Sequence, residues 1–172
     1  MKVIAIQPFG NFSPQLVQNV FRQIWLIDSN VILLKDRPLP ASAFYAPRNR
    51  YRADSLISVL SKNIGNDTII IGLTEKDIST RKGYIQDWGV MGLGYCPGNA
   101  CIVSTYRLDK SNLNEQFFKV AIHELGHTQG LPHCPNKTCF MRDAEGGNKA
   151  NEEADFCSSC KAFLRKKGWI LN

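Results

Sequence analysis

His123-Glu124-Leu125-Gly126-His127-Thr128-Gln129-Gly130-Leu131-Pro132-His133 is the stretch from which both the fold and the chemistry of this chain can be read, and Cys134 follows it directly. On a helix, His123 and His127 stand four residues apart, so both imidazoles leave one face and can reach one metal ion. Glu124 lies about 100° round the same helix, a carboxylate beside the metal position that is not itself a ligand. Gly130 ends the helix, because a residue without a Cβ takes the positive φ of a sharp reversal, and the returning chain offers His133 as a third nitrogen. Three protein ligands leave one tetrahedral position open, which separates a catalytic zinc from a closed structural one. An isolated H-E-x-x-H arises by chance on many helices. Here the glycine and the third histidine stand at the right offsets, and the chain's 3 histidines are all in this stretch.

The helix that carries the motif is expected over about 112–130. Asn112 with Glu115 three residues on gives a start like a capping box. Phe118, Ile122 and Leu125 form an apolar row that packs the helix on a sheet, so the metal ligands rest on a rigid element.

Downstream, Cys134 and Cys139 form one pair, and Cys157-Ser158-Ser159-Cys160 supplies another. In a chain read as cytoplasmic, grouped cysteines are more often metal ligands than disulfides, and two pairs at these spacings predict a structural tetrathiolate zinc in a subregion of about 134–160. Disulfides, another soft metal or an iron-sulfur cluster are the alternatives. A closing helix is expected from Asn151 to Trp169, with a basic outer face that is solvated or meets an acidic partner.

Upstream, Lys2 to Gln7 predicts a strand, and Ser13-Pro14 opens a helix whose Leu16, Val17, Val20, Phe21, Ile24 and Trp25 should face the sheet. Val31 to Leu34 is a short strand, Ala53 to Asn63 a second helix, and Thr68 to Gly72 a central strand apolar on both faces. This alternation argues for an α/β (mixed α+β), mostly parallel sheet. Arg48, Arg50 and Arg52 form a basic run, either solvated or an anion or substrate contact. Trp88 to Tyr95 and Ala100 to Tyr106 predict an antiparallel hairpin, whose glycine-rich first run is either an edge for an extended substrate or a series of bulges. Cys96 and Cys101 flank its turn as free thiols or a disulfide.

The chain has 172 residues, 44% of them hydrophobic, which suits one domain over 1–172 with a sizeable core. Its formal net charge is +6, a balance that without a recognition motif argues more about solubility than about nucleic acid. The N-terminal apolar run is short for a signal peptide and nothing approaches a membrane span, so the expectation is a monomer in the cytoplasm with no membrane partner.

The motif through His133-Cys134, then Cys139, Phe140-Met141 and the distal Cys157-Ser158-Ser159-Cys160, together with Ser104 to Leu108 and Tyr45 to Tyr51, resembles the archaemetzincin family of the metzincin clan. The gap from Met141 to Cys157 is shorter than expected for vertebrate members, and the Cys96/Cys101 pair is not a family feature. The resemblance implies a metzincin-like fold: a mostly parallel twisted sheet with an antiparallel edge strand, packed by helices. It also implies two zinc ions per chain. His123, His127 and His133 would hold the catalytic one and Cys134, Cys139, Cys157 and Cys160 the structural one. Glu124 would be the general base and Met141 the methionine of a turn beneath the imidazoles. The expected function is zinc-dependent hydrolysis of peptide bonds in a peptide or small protein, with Tyr95 and Tyr106 as candidate second oxyanion donors. A zinc-dependent peptide-binding protein that does not cut is the alternative, and a nucleic-acid module built on the cysteines is a weaker one because it leaves the histidines unexplained.

Overall fold

The computed structural model describes residues 2–62 and 64–171. Strands β1 (Val3–Pro8), β2 (Val31–Leu33), β5 (Thr68–Thr74), β8 (Gly92–Gly94) and β9 (Ala100–Ser104) form one sheet, in the order β2-β1-β5-β9-β8. All neighbours are parallel except β8, an antiparallel edge. The alternation of a strand's side chains explains its two cores. Ile4, Ile6, Ile69, Ile71, Cys101 and Val103 point to one face, where helices α1 (Pro14–Ile27) and α3 (Leu113–Gln129) pack. Ala5, Ile70 and Ile102 point to the other, against Leu56, Ile57 and Leu60 of α2 (Ala53–Ser61).

Helix α1 starts as its sequence requires: Ser13 Oγ accepts the Leu16 N–H and Pro14 fills the first turn. Leu16, Val17, Val20 and Ile24 are buried, but Trp25 is 52% exposed. At 100° per residue Trp25 falls about 180° from Leu16, outside the arc that meets the sheet. Of the expected second helix, Asn63 lies outside the described residues.

A second sheet, in the order β3-β4-β6-β7, comprises Phe44–Tyr45, Arg50–Arg52, Ile78–Lys82 and Ile85–Val90 respectively. It corrects the expected hairpin. Trp88 to Val90 pair with β6, only Gly92 to Gly94 pair with β9, and the chain changes sheets at Met91. Of the basic run, Arg48 is exposed and only reaches Asp87 at 3.5 Å, whereas Arg50 and Arg52 are largely covered and ion-paired rather than open to an anion. Arg50 meets Asp77 at 3.1 Å and Asp87 at 3.4 Å, Arg52 meets Asp87 at 3.3 Å, and Arg107 meets Asp77 at 2.9 Å. A side chain at Gly89 would collide with the Arg107 guanidinium, so that glycine lets the arginine lie flat on β7.

The closing helix is also shorter than expected: α4 spans Ser158–Lys166. Cys157 is its extended cap, and the backbone carbonyls of Ala150 and Glu153 turn away to accept hydrogen bonds from Lys119. Residues 151–157 therefore cannot continue the helix backwards. No helix among the described residues is long and apolar enough to cross a membrane.

Candidate active site

Helix α3 ends at Gly130 with φ of 102°, and the Leu131 N–H returns to the Gly126 carbonyl. That reversal brings His133 over His123 and His127. The ring centroids are 4.6 Å (His123–His127), 5.4 Å (His123–His133) and 4.8 Å (His127–His133) apart, and ligand atoms of the three rings lie within 4.8 Å of one another. His123 Nδ1 donates to the Phe140 carbonyl at 2.6 Å, and His127 Nδ1 donates to the Leu131 carbonyl at 2.7 Å. His133 Nδ1 lies 3.4 Å from Asp143 Oδ2. An acceptor at each Nδ1 keeps the proton there and leaves Nε2 as the free lone pair, which is how metal-binding histidines are oriented. Burial, with His127 beside it, pushes His123 down to about 3, and burial lowers His127 as well, so both rings are neutral donors. Three imidazoles, each with an acceptor facing its Nδ1, fit a borderline-soft dication such as zinc.

Glu124 points from α3 towards the edge strand β8. A Cβ at Gly92 would come within 2.6 Å of Glu124 Oε1, and one at Gly94 within 2.8 Å of the Glu124 carbonyl oxygen. The glycines thus admit the active-site helix itself. Burial pushes Glu124 up to about 8, opposed by a hydrogen bond from the Gly94 N–H. In the chain alone burial thus favours the protonated carboxyl, which sits beside the turn that carries two of the imidazoles.

Met141 is fully buried against Gly126, on the underside of the histidine-bearing turn. Its carbonyl accepts the Cys134 N–H at 2.7 Å, joining the loop after His133 to the methionine turn. One residue further, the thiols of Cys134, Cys139, Cys157 and Cys160 lie within 4.8 Å of one another. Cys134 Sγ and Cys157 Sγ are 3.7 Å apart, too far for a disulfide and close to the ~3.8 Å edge of a tetrahedron with metal–sulfur bonds of ~2.3 Å. The N–H groups of Met141 and Cys157 both point at Cys139 Sγ, as they would at a thiolate. A hydrogen bond with Ser159 leads the effects that bring Cys157 down to about 6. The donor set and its spacing fit a closed zinc site.

A cleft of about 630 Å³ runs past the histidines and Glu124, between β7–β8 and the segment from Arg142 to Glu153. The tyrosines expected near it do not line it. Tyr95 is hydrogen-bonded to Asp54, and Tyr106 is exposed. Cys96 and Cys101 are free thiols; Cys96 donates to the Leu131 carbonyl, and Cys101 is buried. Sequence reasoning missed Asp143, which no spacing rule connects to His133, and the carbonyls of Phe140 and Leu131, which are invisible in side-chain patterns. It also missed Lys119, Arg142 and Glu153 in the cleft wall.

The profile of peptidase family M54 matches residues 21–166. Archaemetzincin of Haloarcula marismortui is 30% identical over 174 aligned positions, covering 92% of this chain and 96% of that protein. The archaemetzincin of Haloquadratum walsbyi is 29% identical, covering 94% and 99%. Among solved structures, the archaemetzincin of Methanopyrus kandleri superposes with a TM-score of 0.80 at 26% identity, covering 97% of this chain and 96% of that one. That of Archaeoglobus fulgidus, complexed with malonate, gives 0.79 at 27% identity, covering 95% and 99%. The chain belongs to peptidase family M54, the archaemetzincin family of zinc metallopeptidases.

Proposed function

We propose that His123, His127 and His133 hold the hydrolytic zinc, that Glu124 is the general base of peptide hydrolysis, and that Cys134, Cys139, Cys157 and Cys160 hold a second, structural zinc. When bound at the histidines, zinc is a Lewis acid that lowers the pKa of a water towards ~7 and polarises the scissile carbonyl. The chain's own groups do the rest. Phe140, Leu131 and Asp143 keep the proton on each Nδ1, so every Nε2 stays free to donate its lone pair. Glu124 accepts the water's proton on a carboxylate oxygen and returns it to the leaving amine. In the chain alone burial favours its protonated form, and a dication close by acts in the opposite sense, towards the carboxylate a base must be.

Strand β8 is an edge, so the outer side of its backbone, apart from the Gly94 N–H that Glu124 takes, is open to pair with an extended peptide by main-chain hydrogen bonds. An extended peptide on β8 would run beside Glu124, which packs on the glycines of that strand. The reading rests above all on three converging rings, each with its Nδ1 facing an acceptor. A peptide-library digest before chelation, after it and after zinc is restored tests it. Cleavage should vanish and return with zinc, and cleavage that survives complete zinc removal contradicts it.

A further inference from the structure

From His123 the cleft continues along α3 to Val120 and Lys119, facing the segment that ends in Ala150 and Glu153. Three charged side chains line this end of it: Lys119, Arg142 and Glu153. Two are satisfied within the protein. Lys119 Nζ donates to the carbonyls of Ala150 (2.9 Å) and Glu153 (2.7 Å) and pairs with Glu115, which uses all three of its protons. Arg142 donates to the Lys137 carbonyl at 3.2 Å and to Glu152 at 2.6 Å.

Glu153 differs. The residue is only 9% exposed, yet its carboxylate takes no hydrogen bond or ion pair from any of the described residues. Lys119 and Arg142 act on it only at longer range. Lys119 is paired with Glu115, and Arg142 with Glu152, which Lys149 also reaches at 3.7 Å, so no cation of this group is committed to Glu153. The carboxylate of this largely buried residue therefore opens only into the cleft, and a cation arriving there gains a partner that nothing in the protein already occupies.

We propose that Glu153 is a specificity-determining residue that accepts the ammonium or guanidinium of a lysine or arginine flanking the scissile bond. Val120 and Ala150 give the apolar wall that the methylene stem of such a side chain needs, with the charged tip reaching Glu153. An acidic residue at the same substrate position is repelled. The inference rests on the three-histidine cleft being the place of peptide hydrolysis.

Matched peptides carrying Lys, Arg, norleucine or Glu next to the scissile bond test it, assayed with the zinc-loaded wild type and with Glu153→Gln. Binding of the same peptides is measured by fluorescence anisotropy on zinc-loaded Glu124→Ala, with and without Glu153→Gln. The wild type should favour Lys and Arg over norleucine by about tenfold or more in kcat/KM, the scale of one charge-assisted hydrogen bond. Glu153→Gln should erase that ratio. Equal kcat/KM for Lys and norleucine in the wild type, or a ratio unchanged in Glu153→Gln, overturns the proposal without touching the peptidase reading. If nothing is cleaved, the peptidase reading fails and binding decides: tighter Lys and Arg peptides, lost with Glu153→Gln, support the role of Glu153, and equal affinities overturn it.

Discussion

Met141 lies directly against Gly126: a Cβ at that glycine would come within 2.5 Å of the Met141 Sδ. The missing side chain lets the methionine turn sit under α3 between the levels of His123 and His127. Gly126→Ala should gain about 1 kcal/mol of helix propensity and lose about 1–3 kcal/mol to overpacking. We expect a net loss in urea denaturation, and a much smaller one in a Met141→Ala background, where the thioether is gone. Strictly additive effects of the two substitutions would contradict direct contact.

Gly92 and Glu124 are paired in the same way across the strand–helix boundary. A methyl at position 92 meets only side-chain atoms of Glu124, its Cγ, Cδ and Oε1, so the fold can accommodate it by swinging that side chain and its carboxylate aside. Gly92→Ala should therefore cost little in thermal stability and lower kcat by about 100-fold, the scale of a catalytic group displaced by an ångström. Undiminished kcat would mean that the position of Glu124 against β8 is irrelevant to turnover.

Cys134 is covalently joined to His133 and hydrogen-bonded to Met141, so the cysteine cluster and the histidine cluster share a loop. Structural zinc sites in small domains contribute ~10–16 kcal/mol of apparent binding energy. Cys157→Ser should reduce zinc content, raise hydrogen exchange across residues 134–160, and weaken zinc at the histidines in competition with a chelator. An unchanged affinity at the histidines in a folded variant would show the two clusters to be independent.

Burial raises Glu153 to about 7, against an ordinary 4.5. A carboxyl raised on folding binds its proton more tightly in the native state. Its contribution to stability is therefore greatest below pH 4.5 and is lost as the pH rises through 7. Glu153→Gln lacks this titration. Its stability relative to the wild type should rise between those pH values and then level off, by about 1–3 kcal/mol. Parallel stability–pH curves for the two proteins would exclude an isolated buried carboxylate.

Legibility in the sequence followed distance along the chain. His123, His127, Gly130 and His133 obey the period and stop signal of one helix, and the apolar β1, β2 and β5, alternating with helical patterns, declare a mostly parallel sheet. The parallel pairing of β9 with β5 was not legible, because its glycine-punctuated surroundings read as a hairpin. The second sheet was hidden. Its strands carry Ser79, Thr80, Arg81 and Lys82, and it is tied together by Asp77 and Asp87 pairing with arginines far away in sequence. The glycines of β8 did signal a close approach: at Gly94 it is the backbone carbonyl of Glu124, and at Gly92 the Glu124 side chain. Asn151 to Cys157 looked helical because nothing local reveals that Lys119, more than thirty residues earlier, takes the carbonyls a helix would need.

The most direct test of the site is Glu124→Gln, which keeps the shape of the side chain and removes its ability to take a proton. With Glu124 acting as base and not as ligand, as proposed, zinc per chain should match the wild type while kcat on a cleavable peptide falls by about 100-fold or more. A fully zinc-loaded variant that cleaves at the wild-type rate would remove Glu124 from the chemistry, and one that loses its zinc would make it a ligand.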